Sequence, residues 1–299
     1  MGLRIAPSLY STLLYDVSND RDRLNTDFQQ VSTGQSVNLP SDNPAATAVL
    51  IQNKSEASGI DEYTQSIASL KGSLSTADTA LGSVVGSLNQ ALSIATEGAN
   101  GTNSPGELQG LAQQVQAIQQ TVLGLANTSY QGVYLFAGTN STAPAYVSDL
   151  TSPSGVKYSG NTAVNNVSVG PGQSAQANLP GSTIFNGAGA DVFQALHDLS
   201  KALTTDTNVT GALSELQSAY NNVNTQRTFY GNTIDDLNSV SGDLSQEQLT
   251  LSTQLSTLIS ANPAQAASNL SQDETTLQSA LNAFGSISQN TLLNYLKLG

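Results

Sequence analysis

The sequence predicts a mainly α-helical protein: a long antiparallel helical bundle or coiled coil, with paired terminal helices and a small inserted β-rich domain. Three observations carry this expectation. Eleven positions spaced alternately three and four residues apart are all apolar: Ile60, Tyr63, Ile67, Leu70, Leu74, Ala77, Leu81, Val84, Leu88, Ala91 and Ala95. The spacing returns at Leu213, Leu216, Tyr220, Val223, Tyr230, Ile234, Leu237, Leu244, Leu251, Leu255 and Leu258, interrupted only at Arg227, Ser241 and Gln248. Between these stripes, from about Thr139 to Ala190, Gly, Pro, Asn and Ser become frequent and short alternating runs replace helical spacing. A 3.5-residue apolar repeat keeps one seam facing a neighbouring helix, as in coiled coils and long bundles. At 1.5 Å rise per residue the two stripes would be roughly 54 and 69 Å long, more rod than globule.

Each element follows from local chemistry. Leu9, Leu13, Val17, Leu24, Phe28 and Val31 step by fours, threes and sevens, with Asp16, Asp20, Arg21 and Arg23 between them, which is an amphipathic helix. Thr33-Gly34 and the run Leu39-Pro40-Ser41-Asp42-Asn43-Pro44 break it. The second helix opens with Asn43 as N-cap and Pro44 at the first helical position, and it runs to about Glu97. After the turn Gly98-Ala99-Asn100-Gly101-Thr102-Asn103, Ser104, Pro105 and Glu107 form a capping box. A third helix follows on Leu108, Leu111, Val115, Ile118, Val122 and Leu125, and should pack back on the second. Gly132 and Gly138 bracket Tyr134-Leu135-Phe136, read as a short hairpin strand packing aromatics on the bundle, or else as a contact surface. Ala163 to Val169 alternates between Tyr158-Ser159-Gly160-Asn161 and Gly170-Pro171-Gly172, a strand between turns. Helical spacing resumes at Val192, Leu196, Leu199 and Leu203. Asn262-Pro263 with Gln265 starts a last helix with the face Leu270, Leu277, Leu281, Phe284, Ile287, Leu292 and Tyr295.

Five segments result: an N-terminal helix over 1–40, the first half of a helical bundle over 41–138, the β-rich insert over 139–190, the second bundle half over 191–260, and a C-terminal helix over 261–299. Each terminal helix is too short to bury a core alone, and the two stripes can satisfy each other. The chain would go out, turn at the insert and return.

Composition excludes several function classes. Only 16 residues are aromatic, none is Trp, and charged residues are 10%, so Ser, Thr, Asn and Gln must cover the surface. Nine Lys and Arg stand against 22 Asp and Glu, and the net charge of −13 repels phosphate backbones, so nucleic acid is not an expected partner. The absence of Cys removes a disulfide scaffold, a thiolate zinc site and a Cys nucleophile. No stretch of 18 apolar residues exists for a membrane span, and Met1 to Pro7 lacks the apolar core of a cleaved secretory signal.

Candidate chemical residues reduce to structural ones. His197 stands alone, without a second His at ligand spacing, and is read as solvated or half-buried. Asp235 and Asp236 are adjacent on a helix and face different directions, while Asp42 and Glu107 sit at helix starts, where negative charge offsets the macrodipole. Gly170-Pro171-Gly172 lacks the Lys-Ser/Thr of a phosphate loop. Neither catalysis nor a cofactor or metal is expected.

Four places resemble the flagellin family, and within it the hook-associated junction proteins. Val31 to Ala46, reading VSTGQSVNLPSDNPAA, is similar to the family's LSSGKRINxPSDDPAA segment, in which Pro40 and Pro44 favour the junction proteins over flagellin proper. Gly132 to Thr139 resembles the GxYLFAGT that closes the first helical half. Tyr158-Ser159-Gly160-Asn161, Val167 to Gly170 and Pro180 to Gly187 resemble the variable domain. Leu270 to Leu296 is similar to the LSQxxxxLQAAL…LLDYL ending, with Asn294 in place of an Asp and three residues following Leu296. Gln35-Ser36 stands where the family has a basic pair.

The resemblance implies a structural component of the bacterial flagellum, polymerising as a junction between hook and filament. It implies self-association, a neighbouring hook-associated protein on the hook side, flagellin on the filament side, and an export chaperone on the C-terminal helix. It also implies an extracellular location reached without a cleaved signal peptide. The subunit interface is expected on the terminal helices, at Leu9, Leu13, Val17, Leu24, Phe28, Val31, Leu277, Leu281, Phe284, Ile287, Leu292, Tyr295 and Leu296. Those segments are expected to order on assembly. A true flagellin is the alternative. A surface adhesin or hydrolase would need chemistry in the insert, which holds one Asp, one Lys and neither His nor Glu.

Overall fold

The computed structural model describes the backbone of residues 7–296 and side chains within 11–286, Leu13 excepted. Among the described residues seven helices and four two-stranded hairpins follow in order: α1 Pro7–Thr33, α2 Pro44–Gly98, α3 Pro105–Ala126, β1 Ser129–Tyr130, β2 Val133–Tyr134, β3 Tyr146–Ser148, β4 Val156–Tyr158, β5 Asn166–Gly170, β6 Gln173–Gln176, α4 Gly181–Phe185, β7 Asn186–Gly187, β8 Ala190–Asp191, α5 Val192–Thr205, α6 Val209–Ile259 and α7 Pro263–Leu296. Mainly helical architecture with strands confined to the middle is the class expected from the apolar spacing. By its contacts the chain divides into two compact units, one joining its two ends (up to Ser58 and from Glu247), the other Gly59–Gln246. The five sequence segments do not nest in these units, since 41–138 and 191–260 each span residues of both, and the hairpins share a unit with the helices that flank them.

In the first unit α1 packs on α7. Gly34 closes α1 in the left-handed region, at φ 70, where a residue without Cβ is unstrained. The two connections that follow α1 and α6 are stitched together. The Ser36 N–H donates to the Ile259 carbonyl at 2.6 Å and the Ala261 N–H to the Gly34 carbonyl at 2.9 Å. Both onward helices start alike. Asn43 Oδ1 accepts from the Ala46 N–H at 3.0 Å, and Asn262 Oδ1 accepts from Ala264 and Gln265 at 3.1 and 3.2 Å, each with Pro at the next position. Asp42 departs from its expected role at the start of α2. Its carboxylate turns back to accept from the Asn38 and Leu39 N–H groups at 3.0 and 2.8 Å, because Asn43 already fills the cap and the preceding loop has unpaired donors.

The second unit holds the larger core. Every member of the α2 stripe from Ile67 to Ala95 is buried, as are Leu216, Val223, Tyr230, Leu237 and Leu244 on α6. The interruption at Arg227 has a partner on α2: Nε and Nη2 bond the two oxygens of Asp78 at 2.7 and 3.0 Å. Gly82 leaves room for that guanidinium, which a Cβ would approach at 3.4 Å. Helix α3 starts with the expected capping box, the Ser104 N–H donating to Glu107 Oε2 at 2.7 Å while Ser104 Oγ accepts from the Glu107 N–H. It packs on α5, where the Ser200 hydroxyl donates to the Ala112 carbonyl at 3.3 Å. Asp206 and Asn208, at φ 52 and 55, turn the chain sharply from α5 into α6.

The β3–β4 hairpin is anchored by an aromatic cluster that periodicity did not reveal. Tyr146 contacts Tyr158, Phe185 and Phe193, with ring centroids 5.0, 5.5 and 4.9 Å apart, and Phe136 meets Phe185 edge-on at 5.6 Å. Asn127 brackets Tyr146, accepting from its N–H and donating to its carbonyl, both at 2.8 Å. The GxYLFAGT segment therefore feeds a core: Phe136 and Ala137 are fully buried, and Gln131-Gly132, at φ 51 and 82, form the tight turn between β1 and β2. Of the two readings of Tyr134 to Phe136, the hairpin packing aromatics onto the helices is the observed one.

Candidate functional site: the terminal helix pair

The candidate site is a surface, built by α1 and α7. Val17, Leu24, Leu277 and Phe284 are half-buried. Phe28, Val31 and Leu281 stay 60%, 41% and 44% exposed. The side chains of Leu9, Leu13, Ile287, Leu292, Tyr295 and Leu296 lie outside the described residues, although their backbone is within α1 and α7. Two further exposed apolar residues, Leu14 and Tyr15, were not singled out from the sequence. Leu14 was legible as the position three before Val17, so the apolar stripe of α1 is wider than the single row read from its fours and sevens. Pairing between the two ends of the chain thus covers only part of their apolar surface.

The polar margin of the pair carries its charge. Asn19, Asp22, Arg23, Thr26 and Asp27 on α1 face Asn269, Gln272 and Asp273 on α7 across an open groove of about 560 Å³. Burial, then the charge of Asp273 and a hydrogen bond with it, hold the Asp27 carboxyl above the ordinary carboxylate range. Arg23 reaches only Asp20, at 3.9 Å, a separation worth little at a solvated surface.

Elsewhere the residues weighed as chemical candidates have structural settings. His197 is half-buried on α5, at a second groove lined by Gln116, Gln120, Lys201 and Thr204. Glu107 is a cap, its carboxyl lowered by the hydrogen bonds it takes from Ser104. Among the described residues no cluster of His, Cys, Asp and Glu could hold a metal ion, and no helix is long and apolar enough to cross a membrane.

Residues 8–141 match the bacterial flagellin N-terminal helical region. Over that stretch the chain is similar to proteins of the bacterial flagellin family. Along nearly its whole length the chain is 25% identical to flagellar hook-associated protein 3 of Escherichia coli K12, the alignment covering 92% of this chain and 94% of that one. A protein of Vibrio parahaemolyticus described as flagellar hook-associated is 25% identical, with a TM-score of 0.67 over 73% of this chain and 99% of its own. Flagellar hook-associated protein 3 of Legionella pneumophila shares the fold, with a TM-score of 0.64 over 70% and 98% of the two chains, at 13% identity. The chain is thus similar to flagellar hook-associated proteins, over nearly the whole length of one of them.

Proposed function

We propose that this protein polymerises as a short junction zone between hook and filament, using the α1–α7 pair as its subunit interface. The observation carrying this reading is that the pair leaves Phe28, Val31 and Leu281 exposed, Phe28 by more than half, after the two ends of the chain have met. Surface of this kind, contiguous with half-buried apolar neighbours, marks an interaction site. A further copy of the same helices fits it, since a repeated subunit presents the same unfinished stripe at every position. A low density of charge suits this, because stacked identical subunits accumulate like-charge repulsion.

The partners in this reading are a neighbouring hook-associated protein on the hook side and flagellin on the filament side, with an export chaperone on α7 before assembly. Location is extracellular, at the hook-filament junction, and export uses no cleaved signal. The protein catalyses no reaction; its work is geometric, adapting one helical assembly to another. A true flagellin is the second reading, favoured by the description of the matching N-terminal region. Deleting the gene separates the two. The junction reading requires completed hooks without filaments and filament subunits lost to the medium, whereas hooks that still carry a complete junction zone would overturn it.

A further inference from the structure

The chain holds two Asn-Gly pairs, Asn100–Gly101 and Asn186–Gly187, and the fold puts them in opposite circumstances. Asn100 lies just past the end of α2, exposed, and is tied to the turn only through its main chain. Its N–H donates to the Glu97 carbonyl at 3.1 Å, and its carbonyl accepts from the Asn103 N–H and Nδ2 at 3.3 and 3.0 Å. Neither the side-chain amide of Asn100 nor the N–H of Gly101 has a hydrogen-bond partner among the described residues. A Cβ built on Gly101 would meet nothing within 4 Å beyond its chain neighbours, so no distant part of the fold crowds that residue. Asn186 is held instead at both ends of its amide. Its Oδ1 accepts from the Tyr146 hydroxyl at 2.6 Å, its Nδ2 donates to Asp191 at 2.8 Å, and Gly187 is paired with Ala190 in the β7–β8 ladder.

From this contrast we propose that Asn100 is a self-modification site, at which the amide is converted to a carboxylate without an enzyme. The Gly101 main-chain nitrogen attacks Asn100 Cγ. The new C–N bond closes a five-membered succinimide, the Cγ–Nδ2 bond breaks, and the proton from the Gly101 nitrogen leaves with Nδ2 as ammonia. Water then adds across either ring carbonyl and gives aspartate or, through the side-chain carbon, isoaspartate. No electrons are transferred, and water is the sole co-reactant. Reaching the attack geometry requires the side chain to swing onto the following nitrogen. That swing breaks no hydrogen bond at Asn100 and two at Asn186. Gly is also the one residue whose lack of a Cβ leaves the attacking nitrogen unshielded.

The product alters the turn it sits in. A carboxylate appears beside the carbonyl end of α2, where the helix dipole disfavours negative charge. In the isoaspartyl form the chain runs through the former side chain, and the carbonyl that accepted both Asn103 bonds is no longer part of the main chain.

The test ages the full chain at neutral pH and physiological temperature, then reads each Asn peptide by mass spectrometry and by isoaspartyl methyltransferase labelling. The same readout is applied to the chain held in urea, and to Gly101→Ala, a substitution with open space and no left-handed φ to oppose it. Expected are acid accumulating at Asn100 and not at Asn186 in the folded chain, conversion at both sites in urea, and loss of conversion at Asn100 in the variant. Asn186 keeping pace with Asn100 in the folded chain would overturn the proposal. So would an Asn100 that keeps its amide when folded yet converts in urea.

Discussion

Phe28→Ala separates the stability of the subunit from its assembly. In the isolated chain Phe28 is 60% exposed, so truncation removes little packing, and Ala is the better helix former. The expected change in subunit stability is within about 0.5 kcal/mol, as for other surface positions. In the assembled zone a neighbouring copy covers the remaining ring. Full burial of a Phe side chain is worth roughly 1.5–3 kcal/mol, so the uncovered 60% corresponds to about 1–2 kcal/mol at each contact. That lowers the ratio of incorporated to free subunits roughly five- to thirtyfold. The assay complements the deletion strain with wild-type or variant chain, and quantifies subunits retained on sheared hooks against those shed into the medium. Thermal melting of the purified chain serves as the stability control. Retention at the wild-type level, with an unchanged melt, would refute the assignment of this face to the subunit interface.

The groove margin predicts a pH dependence. Asp27, with its folded pKa raised chiefly by burial and then by Asp273, binds its proton more tightly in the folded state; its stabilising contribution is complete below the unfolded carboxylate value of about 3.9 and is lost as pH rises through the raised folded value. Melting of the terminal pair should therefore firm up on acidification into the carboxylate range, and Asp27→Asn should flatten that part of the profile; parallel wild-type and variant profiles would contradict it. Leu74→Ala, at a fully buried position of α2, should cost about 2–5 kcal/mol in denaturant unfolding. Tyr146→Phe keeps the aromatic contacts but removes the donor to Asn186, a loss of about 1 kcal/mol by the same measurement.

How much was legible in the sequence differs by element. The α2 stripe could be read position by position, because a helix with one buried face must repeat its apolar residues at helical spacing. Caps at Asn43, Ser104 and Asn262 were equally legible, since the donors of a first turn need an acceptor a fixed number of residues away. The partner of Arg227 was not. An interrupted stripe says that something polar sits at the seam, but Asp78 is 149 residues distant and nothing local points to it. The aromatic cluster was hidden for a similar reason: Phe136, Tyr146, Tyr158, Phe185 and Phe193 come from a loop, two short strands, the short α4 and the start of α5, so no single period joins them. On the terminal pair the sequence marked which faces are apolar, not how far each would be covered.

By itself, then, the order of residues marked the long helices and the faces they must bury, because these depend on interactions three or four residues apart, while the short α4 was not read from it. Tertiary structure alone decided that α3 packs on α5, that Tyr146 and Tyr158 of the β3–β4 hairpin join Phe185 and Phe193 in one aromatic core, and that Phe28 remains open where Leu24 is half covered. Coverage depends on the direction from which a distant segment approaches, and no spacing along the chain records that direction.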